Sequence, residues 1–140
     1  KEINDTHGHV VGDQVLAGVV RHVMEHLRPY DKVFRYGGDE FLISLPGADL
    51  EIGQKVIGHI REQIARATVV ASPAGHPIAT TASFGLALLE PDISVEESID
   101  RADKALLAAK TAGRNRVCSW DPAVTTSTLL RRVMEDGAAG

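Results

Sequence analysis

The chain has 140 residues, 44% hydrophobic and 24% charged, values that exclude a disordered or fibrous chain and fit one globular domain. With 15 Lys and Arg against 19 Asp and Glu the net charge is −4, which excludes a broad basic surface for a nucleic-acid backbone. No apolar run approaches the ~18 residues of a membrane span, and the single cysteine, Cys118, excludes an internal disulfide or a Cys-rich zinc cluster and suits a reducing compartment. A phosphate-bearing ligand must therefore be met by a few local cations, dipoles or metals. The chain opens on Lys1-Glu2-Ile3-Asn4 with neither initiator Met nor signal peptide, as expected of a piece of a longer protein.

From Gly12 to Leu27 the residues Val15, Leu16, Val19, Val20, Val23 and Leu27 recur with a 3.6-residue period, predicting a helix that ends before Pro29. Asp13 stands near its expected start, where a carboxylate meets open N–H groups. Lys32 to Arg35 and Phe41 to Leu45 are short β-rich runs around Tyr36-Gly37-Gly38-Asp39-Glu40, predicting a hairpin with an acidic tip. Leu50, Val56, Ile57, Ile60 and Ile64 trace a second helix, roughly Leu50 to Ala67. Ser72 to Pro77 is turn chemistry, and Ile78 to Leu89 is expected as one strand in which Gly85 marks a bulge or close packing. Ser94 and Glu97 form a capping box before a third helix with the apolar face Val95, Ile99, Ala102, Leu106 and Ala109, and Gly113 fits its C′ position. Arg116 to Trp120 is a last strand, stopped by Asp121-Pro122; Thr125 to Asp136 is a short helix before a frayed end. This alternation predicts an α/β (α+β) fold, a mixed central sheet flanked by helices.

Adjacent carboxylates at a glycine turn repel each other, so Asp39 and Glu40 require a cation or solvent close by. Hard divalent cations such as Mg2+ or Mn2+ take oxygen ligands, often one or two carboxylates together with substrate phosphates. The alternative is a solvated acidic turn. His22 and His26 stand at i,i+4 but lack a third ligand and are expected on a solvated helix face. Cys118 is expected as a small buried hydrophobe and Trp120 at the core edge.

Arg35-Tyr36-Gly37-Gly38-Asp39-Glu40-Phe41, preceded by Lys1-Glu2-Ile3-Asn4-Asp5-Thr6-His7-Gly8-His9 and Gly12-Asp13, resembles the GGDEF family of diguanylate cyclases. Arg101-Ala102-Asp103-Lys104-Ala105-Leu106 and the run Ala109 to Val117 match the same family in order and spacing, so the resemblance spans about Lys1 to Ser119. It implies a GGDEF domain over 1–122, like the palm of nucleotidyl transferases, followed by an extension over 123–140. It also implies condensation of two GTP molecules into cyclic di-GMP with release of pyrophosphate.

By this resemblance Asn4 and Asp13 are the guanine-recognition pair, which suits the N1–H and N2–H donors of that base; taken alone, Asp13 reads as a helix cap and Asn4 as a turn residue. Lys1, Lys110 and Arg114 are implied as phosphate contacts, with a solvated helix end as the alternative for the last two, and Gly37 and Gly38 complete the substrate-binding set. Asp39 and Glu40 are implied as the metal and catalytic pair, with Glu40 also assisting deprotonation of the attacking 3′-hydroxyl. His7 and His9 are taken as structural members of their loop.

Each half-site holds one GTP, so the family implies a homodimer, and a monomer is expected to bind without condensing. The family's first strand carries a metal-binding aspartate a few residues before the position of Lys1, so that strand and ligand are expected from the parent protein, and the fragment alone is expected to be inactive. Arg28-Pro29-Tyr30-Asp31 resembles the family's inhibitory product-binding Arg-x-x-Asp motif, with Arg61 preferred over His59 as an added contact; the alternative is a local turn salt bridge. A sensory module in the parent chain, a cytoplasmic domain and no contact with nucleic acid or membrane are implied as well. The main alternative function is a non-catalytic module that binds GTP or cyclic di-GMP, against which the intact Gly-Gly-Asp-Glu-Phe counts.

Overall fold

In the computed structural model, which describes residues 9–37, 40–71 and 77–121, the first element is helix α1 (His9–Glu25). It starts before the expected Gly12, so Asp13 lies past the first turn, exposed, and does not cap the helix; no acidic residue occupies that turn. Val15 and Val23 are buried, as the apolar period predicts. The helix closes before Leu27 through tightened bonds from His26 N–H to the Val23 carbonyl at 3.1 Å and from Leu27 N–H to Met24 at 3.3 Å. The His26 ring Nδ1 donates to the His22 carbonyl at 2.8 Å, so this histidine satisfies a helix terminus.

The chain divides into two compact units, residues 1–48 with 62–81 and residues 49–61 with 82–140. In the first unit, a turn from Arg28 to Asp31 leads into the antiparallel pair β1 (Lys32–Gly37) and β2 (Glu40–Ser44). Lys32 faces Ser44, Arg35 faces Phe41 and Gly37 faces Glu40, with the register shifting between Arg35 and Gly37. A second antiparallel pair joins β3 (Thr68–Ala71) to β4 (Pro77–Ala79). β3 is not among the expected elements, although its β-branched Thr68-Val69-Val70 run suits a strand. The expected single strand Ile78 to Leu89 is two strands, because β4 pairs with β3 while β5 (Phe84–Leu86) pairs elsewhere; Leu88 and Leu89 are exposed beyond it.

Helix α2 (Leu50–Arg66) is capped by Asp49, whose Oδ1 accepts from the Ile52 N–H at 2.8 Å. Its apolar stripe is buried at Ile57, Ile60 and Ile64, the last two completely. In the second unit, β5 runs parallel to β6 (Val117–Ser119). Parallel neighbours require a crossover, here helix α3 (Val95–Thr111), which packs on both strands. Ser94 caps α3 as expected, accepting from the Glu97 N–H at 3.0 Å. The buried residues of α3 are Ser98, Ala105, Ala108 and Ala109, whereas Val95, expected on the apolar face, is exposed.

The helix comes closest to β5 at Gly85. A Cβ on Gly85 would collide with the backbone of Ala102 and Leu106, so the expected close packing is found there. Trp120, half-buried, extends the parallel ladder by donating its backbone N–H to Leu86 at 2.7 Å, and the Arg101 guanidinium covers its ring at 4.3 Å from the centroid. Helices with antiparallel and parallel ladders make the fold mixed α/β. The Thr125 to Asp136 helix lies outside the described residues, and among those described no helix is long and apolar enough to cross a membrane.

Gly85→Ala is expected to destabilise the protein by about 1–3 kcal/mol or more, since helix backbone cannot move aside as a side chain can. Gly58→Ala, inside α2 with nothing within 4 Å of the added Cβ, is expected instead to stabilise by roughly 0.5–1 kcal/mol. Urea denaturation of both variants checks the pair; equal effects at the two glycines would contradict the packing assigned to Gly85.

Candidate functional site

The acidic hairpin is built by strand pairing. Glu40 opens β2 opposite Gly37, at the irregular end of the ladder, and its side chain is half-buried. Gly38 and Asp39, like Lys1 and Asn4, lie outside the described residues. Glu40 offers the hard oxygen donor that Mg2+ or Mn2+ takes; no group of three or more His, Cys, Asp and Glu that could hold a metal occurs among the described residues. Asp13 presents an exposed carboxylate from α1 that caps nothing, so the capping alternative for this residue is removed.

The Arg28-Pro29-Tyr30-Asp31 segment is a turn closed by the Asp31 N–H donating to the Arg28 carbonyl at 3.0 Å, with Pro29 at the position where a fixed φ favours such turns. Inside it the two charged side chains meet in a forked arrangement. Arg28 Nε lies 3.2 and 3.1 Å from the two Asp31 carboxylate oxygens, and Nη2 lies 2.9 Å from Oδ1. The Arg28 backbone N–H adds a further bond to Oδ2 at 2.8 Å, while Nη2 also donates to the Pro46 carbonyl at 2.9 Å. The Asp31 side chain is 1% exposed and that of Arg28 39%, so the carboxylate is covered and the guanidinium keeps an open side. The Arg28 plane stands 4.5 Å from the Tyr30 ring centroid.

The Arg28 side-chain hydrogen bonds hold the Asp31 carboxyl below its usual range, against a burial effect in the opposite sense. The same bonds raise the Arg28 guanidinium. The expected Arg-x-x-Asp residues are thus brought together, chiefly with each other.

In the second unit, Lys110 occupies the last turn of α3 and Arg114 the loop after it. Ala112 is the C-cap, Gly113 at φ 125° is the C′ residue expected from the sequence, and the turn closes as a Schellman motif. Gly113 N–H donates to Lys110 at 3.4 Å and Arg114 N–H to Ala109 at 3.0 Å. Both cations sit where the carbonyl end of the helix dipole favours positive charge. Arg61, expected at the product site, donates from Nη1 to Asn115 Oδ1 at 2.9 Å. Sequence reasoning missed Asn115; its standing in Gly113-Arg114-Asn115, directly after a helix end, was the available signal, because asparagine tolerates left-handed backbone.

A family model described as "Diguanylate cyclase, GGDEF domain" matches residues 1–116. Diguanylate cyclase DosC of Escherichia coli is 41% identical over 120 residues, covering 86% of this chain and 26% of that protein. Diguanylate cyclase DgcP of Pseudomonas aeruginosa is 38% identical over 120 residues, covering 84% of this chain and 17% of its own length. Among solved structures, the GGDEF domain of DgcB from Caulobacter crescentus, in complex with c-di-GMP, superposes with a TM-score of 0.74 at 29% identity, over 84% of this chain and 70% of that one. The chain therefore spans about a quarter or less of the length of these two curated relatives.

The covered Asp31 carboxylate sets a pH dependence. Its lowered pKa in the folded state means that its contribution to stability is present at neutral pH and lost as pH falls through the folded value. Asp31→Asn is expected to lower the unfolding free energy at neutral pH by about 1–3 kcal/mol, and the gap from the wild-type protein is expected to close on acidification. Denaturant titrations across the acid range measure it; a gap independent of pH would show that the charge is not its source.

Proposed function

From membership of the GGDEF family of diguanylate cyclases, to which this chain belongs, we propose that it condenses two GTP molecules into cyclic di-GMP as part of a longer protein. The observation that carries this is Glu40 at the first position of β2, paired opposite Gly37, where the sequence keeps Gly-Gly-Asp-Glu-Phe intact. Asn4 and Asp13 read the guanine edge; the exposed Asp13 carboxylate, which caps no helix, supports that task. Lys1, Lys110 and Arg114 hold phosphate oxygens by charge-assisted bonds, and the backbone of Gly37 and Gly38 lets the nucleotide approach the hairpin.

Asp39 and Glu40 would hold Mg2+ or Mn2+, which supplies neutralisation of charge on the transferring phosphate. In the reaction the 3′-oxygen of one GTP attacks the α-phosphorus of the other in line, the bond to pyrophosphate breaks, and Glu40 accepts the hydroxyl proton. Repetition with the roles exchanged closes the ring and releases a second pyrophosphate. Two copies of the domain are needed, since each brings one GTP.

Arg28 and Asp31 form the inhibitory product site. The forked pair and the open side of Arg28 support it: a guanine edge or phosphate meets the guanidinium, which Asp31 and Pro46 already orient. A sensory module elsewhere in the longer protein controls the domain, which acts in the cytoplasm.

Two outcomes test these assignments in the full-length protein. Glu40→Gln is expected to abolish formation of cyclic di-GMP while leaving the thermal midpoint within a few degrees of the wild-type value; turnover at the wild-type rate would overturn the catalytic role. The double variant Arg28→Ala/Asp31→Asn, which leaves no buried carboxylate unpaired, is expected to need about tenfold to hundredfold more added cyclic di-GMP for half inhibition, at nearly unchanged kcat. Initial rates against added product measure this, and identical inhibition curves would make the turn purely structural.

A further inference from the structure

The loop after α3 holds three successive residues at positive φ, Gly113 at 125°, Arg114 at 62° and Asn115 at 49°. Glycine adopts this region freely and asparagine is enriched there, but arginine is disfavoured, so the surrounding structure must hold it in place. It does so from several sides. The Schellman bonds fix the entry to the loop, and Arg116 Nε donates to the Arg114 carbonyl at 3.1 Å. Asn115 is the anchor of the exit. Its backbone N–H donates to Ser83 Oγ at 3.1 Å, while Arg61 Nη1 donates to its side-chain Oδ1 at 2.9 Å and to its carbonyl at 3.4 Å. One residue later the Arg116 carbonyl accepts from the Phe84 N–H at 3.0 Å, at the start of the β5 and β6 ladder.

The backbone of Arg114 is thus tied on both sides, whereas its exposed side chain makes no hydrogen bond or ion pair among the described residues. A guanidinium carried on a rigid turn and not committed to a neighbour meets an anion at low ordering cost. We propose that Asn115 is a positioning residue, held by Arg61 and Ser83, which keeps the 113–115 turn left-handed so that the Arg114 guanidinium is aimed at nucleotide phosphate. This role rests on Arg114 as a phosphate contact in the function proposed above, and it gives Arg61 a task on the substrate side.

The test is calorimetric titration of the full-length protein with 3′-deoxy-GTP, which lacks the hydroxyl that condensation needs and so reports binding without turnover, beside titration with guanosine, which has no phosphate. Asn115→Ala removes both the side-chain acceptor and the left-handed tolerance and is expected to weaken 3′-deoxy-GTP about tenfold. Asn115→Gly keeps the backbone freedom but loses the Arg61 bond and is expected to lose less, and Asn115→Asp, which retains the acceptor, is expected to restore binding. Arg61→Gln, with Asn115 in place, is expected to weaken 3′-deoxy-GTP as well. Guanosine affinity is expected to stay constant throughout. In an Arg114→Ala background, Asn115→Ala is expected to cause no further loss, because its effect passes through the missing guanidinium.

Wild-type affinity for 3′-deoxy-GTP in Asn115→Ala, an equal loss for guanosine, or an undiminished loss in the Arg114→Ala background would each overturn the positioning role. Failure of the wild-type protein itself to bind 3′-deoxy-GTP would instead overturn the nucleotide site on which that role depends.

Discussion

The second unit depends on one steric constraint, the approach of α3 to β5 at Gly85, where no side chain fits between helix and strand. With α3 seated, β6 is brought parallel to β5, and the loop between helix and strand must turn back at once. Its left-handed backbone is the means of doing so in few residues. Ala105, Ala108 and Ala109 are buried on the same helix.

Among the described residues, arginines make several of the long-range polar contacts, in a chain whose net charge is negative. Arg28 closes a turn onto Asp31 and Pro46, Arg61 bridges to Asn115, and Arg101 lies over Trp120 while reaching Glu90 at 3.3 Å. The fork of donors on a guanidinium lets one side chain satisfy two acceptors, as Arg28 does, and a lysine ammonium would not hold both in one plane. Arg114 differs from these three, its backbone being constrained while its head group faces solvent. Exposed pairs such as Lys55 with Glu51 at 3.5 Å add little to stability.

Much of the architecture was legible in the sequence where the signal is local. The Ser94 and Glu97 spacing located the start of α3, Gly113 its end, and Gly-Gly between β-rich runs the hairpin. Errors came where a partner distant in sequence decides. One strand was expected through Leu89, but pairing to β3 on one side and β6 on the other divides it, and neither partner is encoded in the run itself. Asp13 looked like a cap because apolar periodicity marks a buried face and not a helix end. The candidate site was legible mainly through family resemblance. Residue chemistry alone left Asp13, Lys110 and Arg114 with ordinary structural alternatives, and the role of Asn115 was hidden because Arg61 and Ser83 are 54 and 32 residues away.

The stacking of Arg101 on Trp120 has an optical consequence. Trp120 is the only tryptophan in the chain, so intrinsic indole emission comes from one place, just past the end of β6. Its ring is half-buried beneath a guanidinium and its backbone is bonded to β5. Release of the last strand from the parallel ladder would uncover the indole to water and shift its emission toward the red. The domain therefore carries a native fluorophore that reports the docking of β6, and with it the exit of the loop that bears Arg114, with no label attached.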